Sequence, residues 1–178
     1  MTTYVAMLRG INVSGRNTLT MEDLRALVSA VGGTAVRTYI QSGNAVFVSR
    51  RSPSAIVGSL ESGLESALGT RVPVLVRTKG ELEAIIDTNP FVHRGEDPRF
   101  LHVTFMGALP PPDSVTSVQM KPVEADELQL RGREVYLLCP NGYGTTKLTN
   151  SFFEKRLGSA ATTRNWKTVT KLADLASG

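Results

Sequence analysis

Cations and side-chain amides recur beside glycine-containing turns in this chain, a pairing suited to holding an anion. RGINVSGRN (9–17) contributes Arg9, Asn12 and Arg16, and QSGN (41–44) contributes Gln41 and Asn44. NGYGTTKLTN (141–150) contributes Lys147 and Asn150, and TTRNWKTVTKL (162–172) contributes Arg164 and Asn165. Glycine permits turns that aim backbone N–H groups outward, and a helix start adds unpaired N–H groups and a partial positive charge. The pattern predicts helices over 146–157 and 165–176, with Lys147 in one first turn and Arg164 and Asn165 at the other start. Each stretch also has a plain structural reading. Thr145 or Thr146 can simply cap a helix, QSGN is favoured as a hairpin connection, and for 9–17 the turn and the anion grip stand level.

Other chemistries fit poorly. Gly10-x-x-x-x-Gly15-Arg16-Asn17 is a near miss to a P-loop, but Asn17 replaces the metal-binding hydroxyl and the helix begins several residues late. Cys139 is the lone cysteine, and His93 and His102 are the two histidines, so neither an internal disulfide nor a Cys/His zinc site is available; carboxylate-bound Mg²⁺ stays open, and no metal is assigned. Cys139 reads as a small buried hydrophobe and His102 as a structural residue in an apolar strand. SGNAVFV lies where an RNA-recognition sheet carries its stacking aromatics, yet Asn44 and Val46 occupy those positions.

The elements that position these residues follow from periodicity. An apolar run makes 3–9 a strand, and Leu24, Leu27, Val28 and Val31 make 21–31 a helix capped by Thr20 and stopped at Gly32-Gly33. Two strands, 35–40 and 45–48, flank QSGN. Ser52-Pro53 opens a helix with Ile56, Leu60, Leu64 and Leu68 inward, and 72–77 is the next strand. The order β-α-β-β-α-β predicts a ferredoxin-like lobe over 1–78 with an antiparallel sheet. A smaller α+β lobe is expected over 79–178, giving an α+β protein. There Thr78-x-x-Glu81 is a capping box, 100–106 a strand, the prolines at 110–112 an extended connection, and 128–138 a hairpin turning near Gly132. Trp166, Val169, Leu172, Ala173 and Ala176 share one helical face, which predicts Trp166 in the core. No sequence repeat is visible.

LRGINVSGRN, RTYIQSGNAVF, KLTNSFFEKRLG and ATTRNWKTVTKL, in that order, resemble a bacterial domain-of-unknown-function family, number 1697, along essentially the whole chain. The resemblance implies a small soluble α+β protein with no established activity, cofactor or catalytic residues. Thr146 stands where that family often has Ser, and Arg16 where Lys is common, so the charge is kept.

Charge is uneven. Between Arg131 and Lys171, eight Lys/Arg face two acids, while the rest of the chain has twelve basic and fourteen acidic residues. Such asymmetry favours an anionic partner, although a scattered basic surface that merely aids solubility is about as common. No apolar run is long enough to span a membrane, and the N-terminus lacks a signal-peptide pattern, so a cytoplasmic protein without a membrane partner is expected. The leading expectation is a binding protein for an anionic small molecule or a nucleic-acid backbone. Lys147 and Arg164 should then share one solvent-accessible pocket with at least one of Arg9, Asn12 and Asn44. An enzyme acting on a phosphorylated substrate, or an interaction module with structural polar motifs, remain the alternatives.

Overall fold

The computed structural model describes residues 1–119 and 125–178, which fall into two compact units, Met1–Glu83 with Lys171–Gly178, and Ala84–Thr170. The first unit runs β1 (Thr2–Leu8), α1 (Met21–Ala30), β2 (Thr34–Thr38), β3 (Asn44–Ser49), α2 (Pro53–Leu68) and β4 (Val74–Thr78). Its antiparallel sheet has the order β2-β3-β1-β4, so the expected ferredoxin-like arrangement is present. Alternation puts Tyr4, Ala6, Leu8, Ala45, Phe47, Val74 and Val76 on one face, under Leu24 and Val28 of α1 and Ile56, Leu60 and Leu64 of α2. Val5, Met7, Val46 and Leu75, pointing the other way, are buried as well.

Local chemistry sets the helix ends. The Thr20 and Ser52 hydroxyls accept from the Asp23 and Ala55 N–H groups. α1 ends at the Val31 cap, where Gly32 turns the chain at φ 89° and Gly33 N–H donates to the Val28 carbonyl, an approach so close that a Cβ on Gly33 would lie 2.6 Å from Val28 Cγ1. The capping box is reciprocal: Thr78 N–H donates to Glu81 Oε2 at 2.7 Å, and Glu81 N–H to Thr78 Oγ1 at 3.2 Å, starting α3 (Lys79–Asp87).

The second unit repeats this topology. After α4 (Pro90–His93) come β5 (Leu101–Met106), α5 (Pro112–Gln119), β6 (Glu127–Arg131), β7 (Glu134–Leu138), α6 (Asn150–Leu157) and β8 (Ala161–Asn165), and α7 (Trp166–Ser177) follows, its residues from Lys171 on belonging to the first unit. The sheet order β6-β7-β5-β8 matches β2-β3-β1-β4 position for position. In each unit the last strand ends in a buried arginine, then a capping residue, and passes directly into a helix: Arg77-Thr78 before α3, Arg164-Asn165 before α7. Each guanidinium Nη1 donates at 3.0 Å to the carbonyl of the preceding residue, Val76 or Thr163. The duplication lives in topology and in this arginine, not in a sequence period.

Three expectations for the second half need correction. The stretch after the prolines at 110–112 is a helix, with Pro112 in its first turn, where a missing N–H costs nothing. The helix expected over 146–157 begins only at Asn150, because Thr149 is its cap and accepts from Phe152 N–H. Residues Ala161–Asn165 form a strand, paired to β5 with Val103 opposite Arg164, so Arg164 does not stand at a helix start. Trp166, Val169, Leu172, Ala173 and Ala176 are all buried, as their spacing predicts.

Candidate functional site

Three connections of the first unit leave the same end of its sheet. Leu8 N–H donates to the Gly43 carbonyl and Arg9 N–H to the Pro73 carbonyl, both at 2.9 Å, which sets residues 9–17, 39–43 and 69–73 side by side. Asn12 staples the first two. Its Nδ2 donates to the carbonyls of Leu19 (2.9 Å) and Gln41 (2.7 Å), and its Oδ1 accepts from Leu19 N–H at 2.9 Å. Asn17 Nδ2 closes the loop onto the Gly10 carbonyl, and Asn44 Nδ2 binds the Tyr39 carbonyl and Ser42 Oγ.

This order carries a conformational cost. Gly10, Asn12, Ser14, Gly15 and Asn17 all have φ between 50° and 73°, and Ile40 has φ 49°. Asparagine and glycine tolerate that region, whereas a β-branched residue is disfavoured there. Asn12 and Asn44, expected as ligand contacts, spend their amides bracing the loops. Arg16 and Gln41 are exposed and Arg9 is half-buried. A cation that sequence reasoning missed joins them: Arg71, 76% exposed, 3.7 Å from Glu61. The signal was an arginine two residues past Gly69, but its nearness to Arg9 depends on strand pairing. The three loops together hold three arginines and no carboxylate. Nearby, between α1 and the end of α2, a 540 Å³ cleft lined by Leu19, Ala26, Leu27, Ala30 and Leu68 carries Asp23 as its charge, which suits an anion poorly.

In the second unit the expected residues separate by burial. Lys147 is exposed, but it precedes the Thr149 cap instead of lying in the first turn of α6. Asn150 Oδ1 accepts from Thr163 Oγ1 at 2.7 Å; since that hydroxyl has one proton, it in turn accepts from Thr104 Oγ1, also 2.7 Å away. The Asn165 side chain caps α7 by accepting from Thr168 N–H at 2.8 Å. Arg164 is only 7% exposed, its Nη1 donating to Thr162 Oγ1 as well as to the Thr163 carbonyl, and burial pulls its pKa down to about 10. A solvent-accessible pocket through Arg164 is therefore not what this strand presents.

Cys139 is buried, and burial pushes its thiol up to about 11, the opposite of an activated nucleophile. His102 stacks on Tyr143 with ring centroids 4.7 Å apart, and burial holds its imidazole below the ordinary 6.5. The unfolded chain therefore takes up this proton first on acidification, so the stabilisation is complete above about pH 6.5 and is lost as pH falls through the folded value. His102→Gln is expected to flatten the fall in urea midpoint between neutral pH and pH 5; an unchanged slope would remove the imidazole as its source.

Among the described residues no helix is long and apolar enough to cross a membrane, and no three His, Cys, Asp or Glu side chains are grouped to hold a metal ion. Comparison with solved structures finds the conserved bacterial protein SP0830 from Streptococcus pneumoniae, 24% identical, with a TM-score of 0.80 over 98% of each chain, a likeness of fold. No curated protein matches the sequence. The family described as a protein of unknown function (DUF1697) matches residues 1–136, which include the Arg9–Asn17 and Gln41–Asn44 stretches and stop short of Lys147. With more than half its length matched, the chain belongs to the DUF1697 family.

Proposed function

We propose that the protein binds an anionic ligand, a phosphorylated metabolite, nucleotide or nucleic-acid backbone, at the loop-bearing end of its first unit. Arg9, Arg16 and Arg71 supply the charge, Gln41 a neutral hydrogen-bonding group, and Asn12 and Asn44 the bracing. The observation that carries this reading is the Asn12 staple, which fixes the Arg9–Arg16 loop to its neighbour 39–43, in a set of three loops that together hold three arginines and no carboxylate. Preorganised cations lose less entropy on meeting an anion than free surface side chains do. Lys147, Asn150 and Asn165 are secondary candidates for the same class of contact, and Arg164 is assigned to the fold. Binding is favoured over catalysis because Glu61, the carboxylate beside Arg71, already accepts from Val74 N–H through Oε1. The setting proposed is the cytoplasm.

Binding of a fluorescent single-stranded oligonucleotide tests this. The triple variant Arg9→Ala/Arg16→Ala/Arg71→Ala should lose on the order of 100-fold in affinity at low salt, with the slope of log K against log salt falling by about two. Arg16→Ala alone, exposed and safe for folding, should lose a smaller part. Equal affinity in the wild type and the folded triple variant would remove the site from this end of the unit.

A further inference from the structure

We infer that the same end of the first unit docks on an anionic phospholipid surface, with the arginines meeting headgroups and two aliphatic tips entering the interface. This rests on the anion-binding reading for the headgroup contacts, goes beyond it in the apolar contribution, and departs from the expectation of no membrane partner, which spoke only to segments that span the bilayer. Val13 is 58% exposed and Ile40 is 47% exposed. Each is the chain neighbour of a partner in the Asn12–Gln41 hydrogen bond, so the two tips flank one staple. Arg16 follows three residues after Val13, its N–H bonded to the Val13 carbonyl at 3.0 Å in a tight turn. Two aliphatic tips are thus carried by hydrogen-bonded neighbouring loops, Val13 within one turn of Arg16.

Ile40 makes the sharper argument. A β-branched residue at φ 49° is sterically disfavoured, and an exposed one gains little from burial to offset it. Asparagine or glycine would serve the turn better, so the fold alone does not account for isoleucine. The chemistry of the tips selects the partner. Nucleic-acid platforms stack bases on aromatic rings, which neither Val13 nor Ile40 can do, whereas interfacial anchors combine apolar insertion with Lys or Arg at the headgroups. Two small tips and three arginines suit weak, reversible attachment to a surface, with no segment crossing the bilayer.

Co-sedimentation with vesicles of mixed phosphatidylglycerol and phosphatidylcholine, compared with phosphatidylcholine alone, reads this out. The wild type should bind the anionic vesicles and not the neutral ones. Val13→Ser/Ile40→Asn should reduce partitioning at least about tenfold, keep oligonucleotide affinity, and show an equal or higher thermal midpoint as the strain at position 40 is relieved. Failure of the wild type to bind anionic vesicles, or undiminished binding by the double variant, overturns the inference while leaving the anion site intact. Parallel loss of oligonucleotide binding would assign the tips to nucleic acid and overturn it too. Unchanged binding of both probes by Arg16→Ala/Arg71→Ala would instead sink the anion-binding reading.

Discussion

Asn12→Ala is expected to lower stability by about 4 kcal/mol and to abolish anion binding without removing a cation. Three hydrogen bonds end in this side chain, and each contributes roughly 1 kcal/mol net. The residue also sits at φ 55°, where alanine adds a backbone cost of about 1 kcal/mol or more. Asn12→Gly separates these effects, since it tolerates the dihedral but still drops the staple. If the loops are held for binding, Asn12→Gly should recover part of the stability and none of the affinity. Urea denaturation with oligonucleotide titration decides this, and wild-type affinity in both variants would reduce Asn12 to a fold residue.

What the sequence revealed, and what it hid, follows from the range of the forces involved. The Thr78–Glu81 capping box, the Thr20 and Ser52 caps and the Trp166 face depend on residues within a turn or two of each other, so spacing alone exposes them. β8 escaped because Ala161-Thr-Thr-Arg-Asn165 has no apolar alternation; its pairing with β5 comes from the sheet. Missing it displaced Arg164 from a buried strand to a supposed helix start. α5 escaped because its run of prolines reads as extended, although Pro112 sits where a helix tolerates it. Arg71 could not be linked with Arg9, since the Arg9–Pro73 hydrogen bond joins loops far apart in the chain. Asn12 and Asn44 were found as polar residues in the right loops, but amides that bind a ligand and amides that bind their own backbone look alike in sequence.

Arg164→Ala is expected to lower stability by about 3 kcal/mol, whereas Arg16→Ala should stay within about 0.5 kcal/mol of the wild type. Truncating the buried side chain removes its packing and leaves Thr162 Oγ1 and the Thr163 carbonyl without the guanidinium that donates to them. Charge contributes with the opposite sign. Burial lowers the guanidinium's pKa to about 10 in the folded protein, below its value in the unfolded chain, so the unfolded state binds the proton more tightly. That penalty is fully present below about pH 10 and is relieved only at higher pH, so it weighs on stability throughout the neutral range. Arg164→Met, which keeps the volume and discards the buried charge, should therefore be the milder change, losing less than half of what alanine loses. Arg77→Ala and Arg77→Met, at the matching position of the first unit, should fall in the same order. Guanidinium-chloride midpoints of the five variants settle the matter: an Arg164→Ala variant as stable as the wild type would mean that the Arg164 side chain reaches solvent, and would return it to the list of ligand contacts.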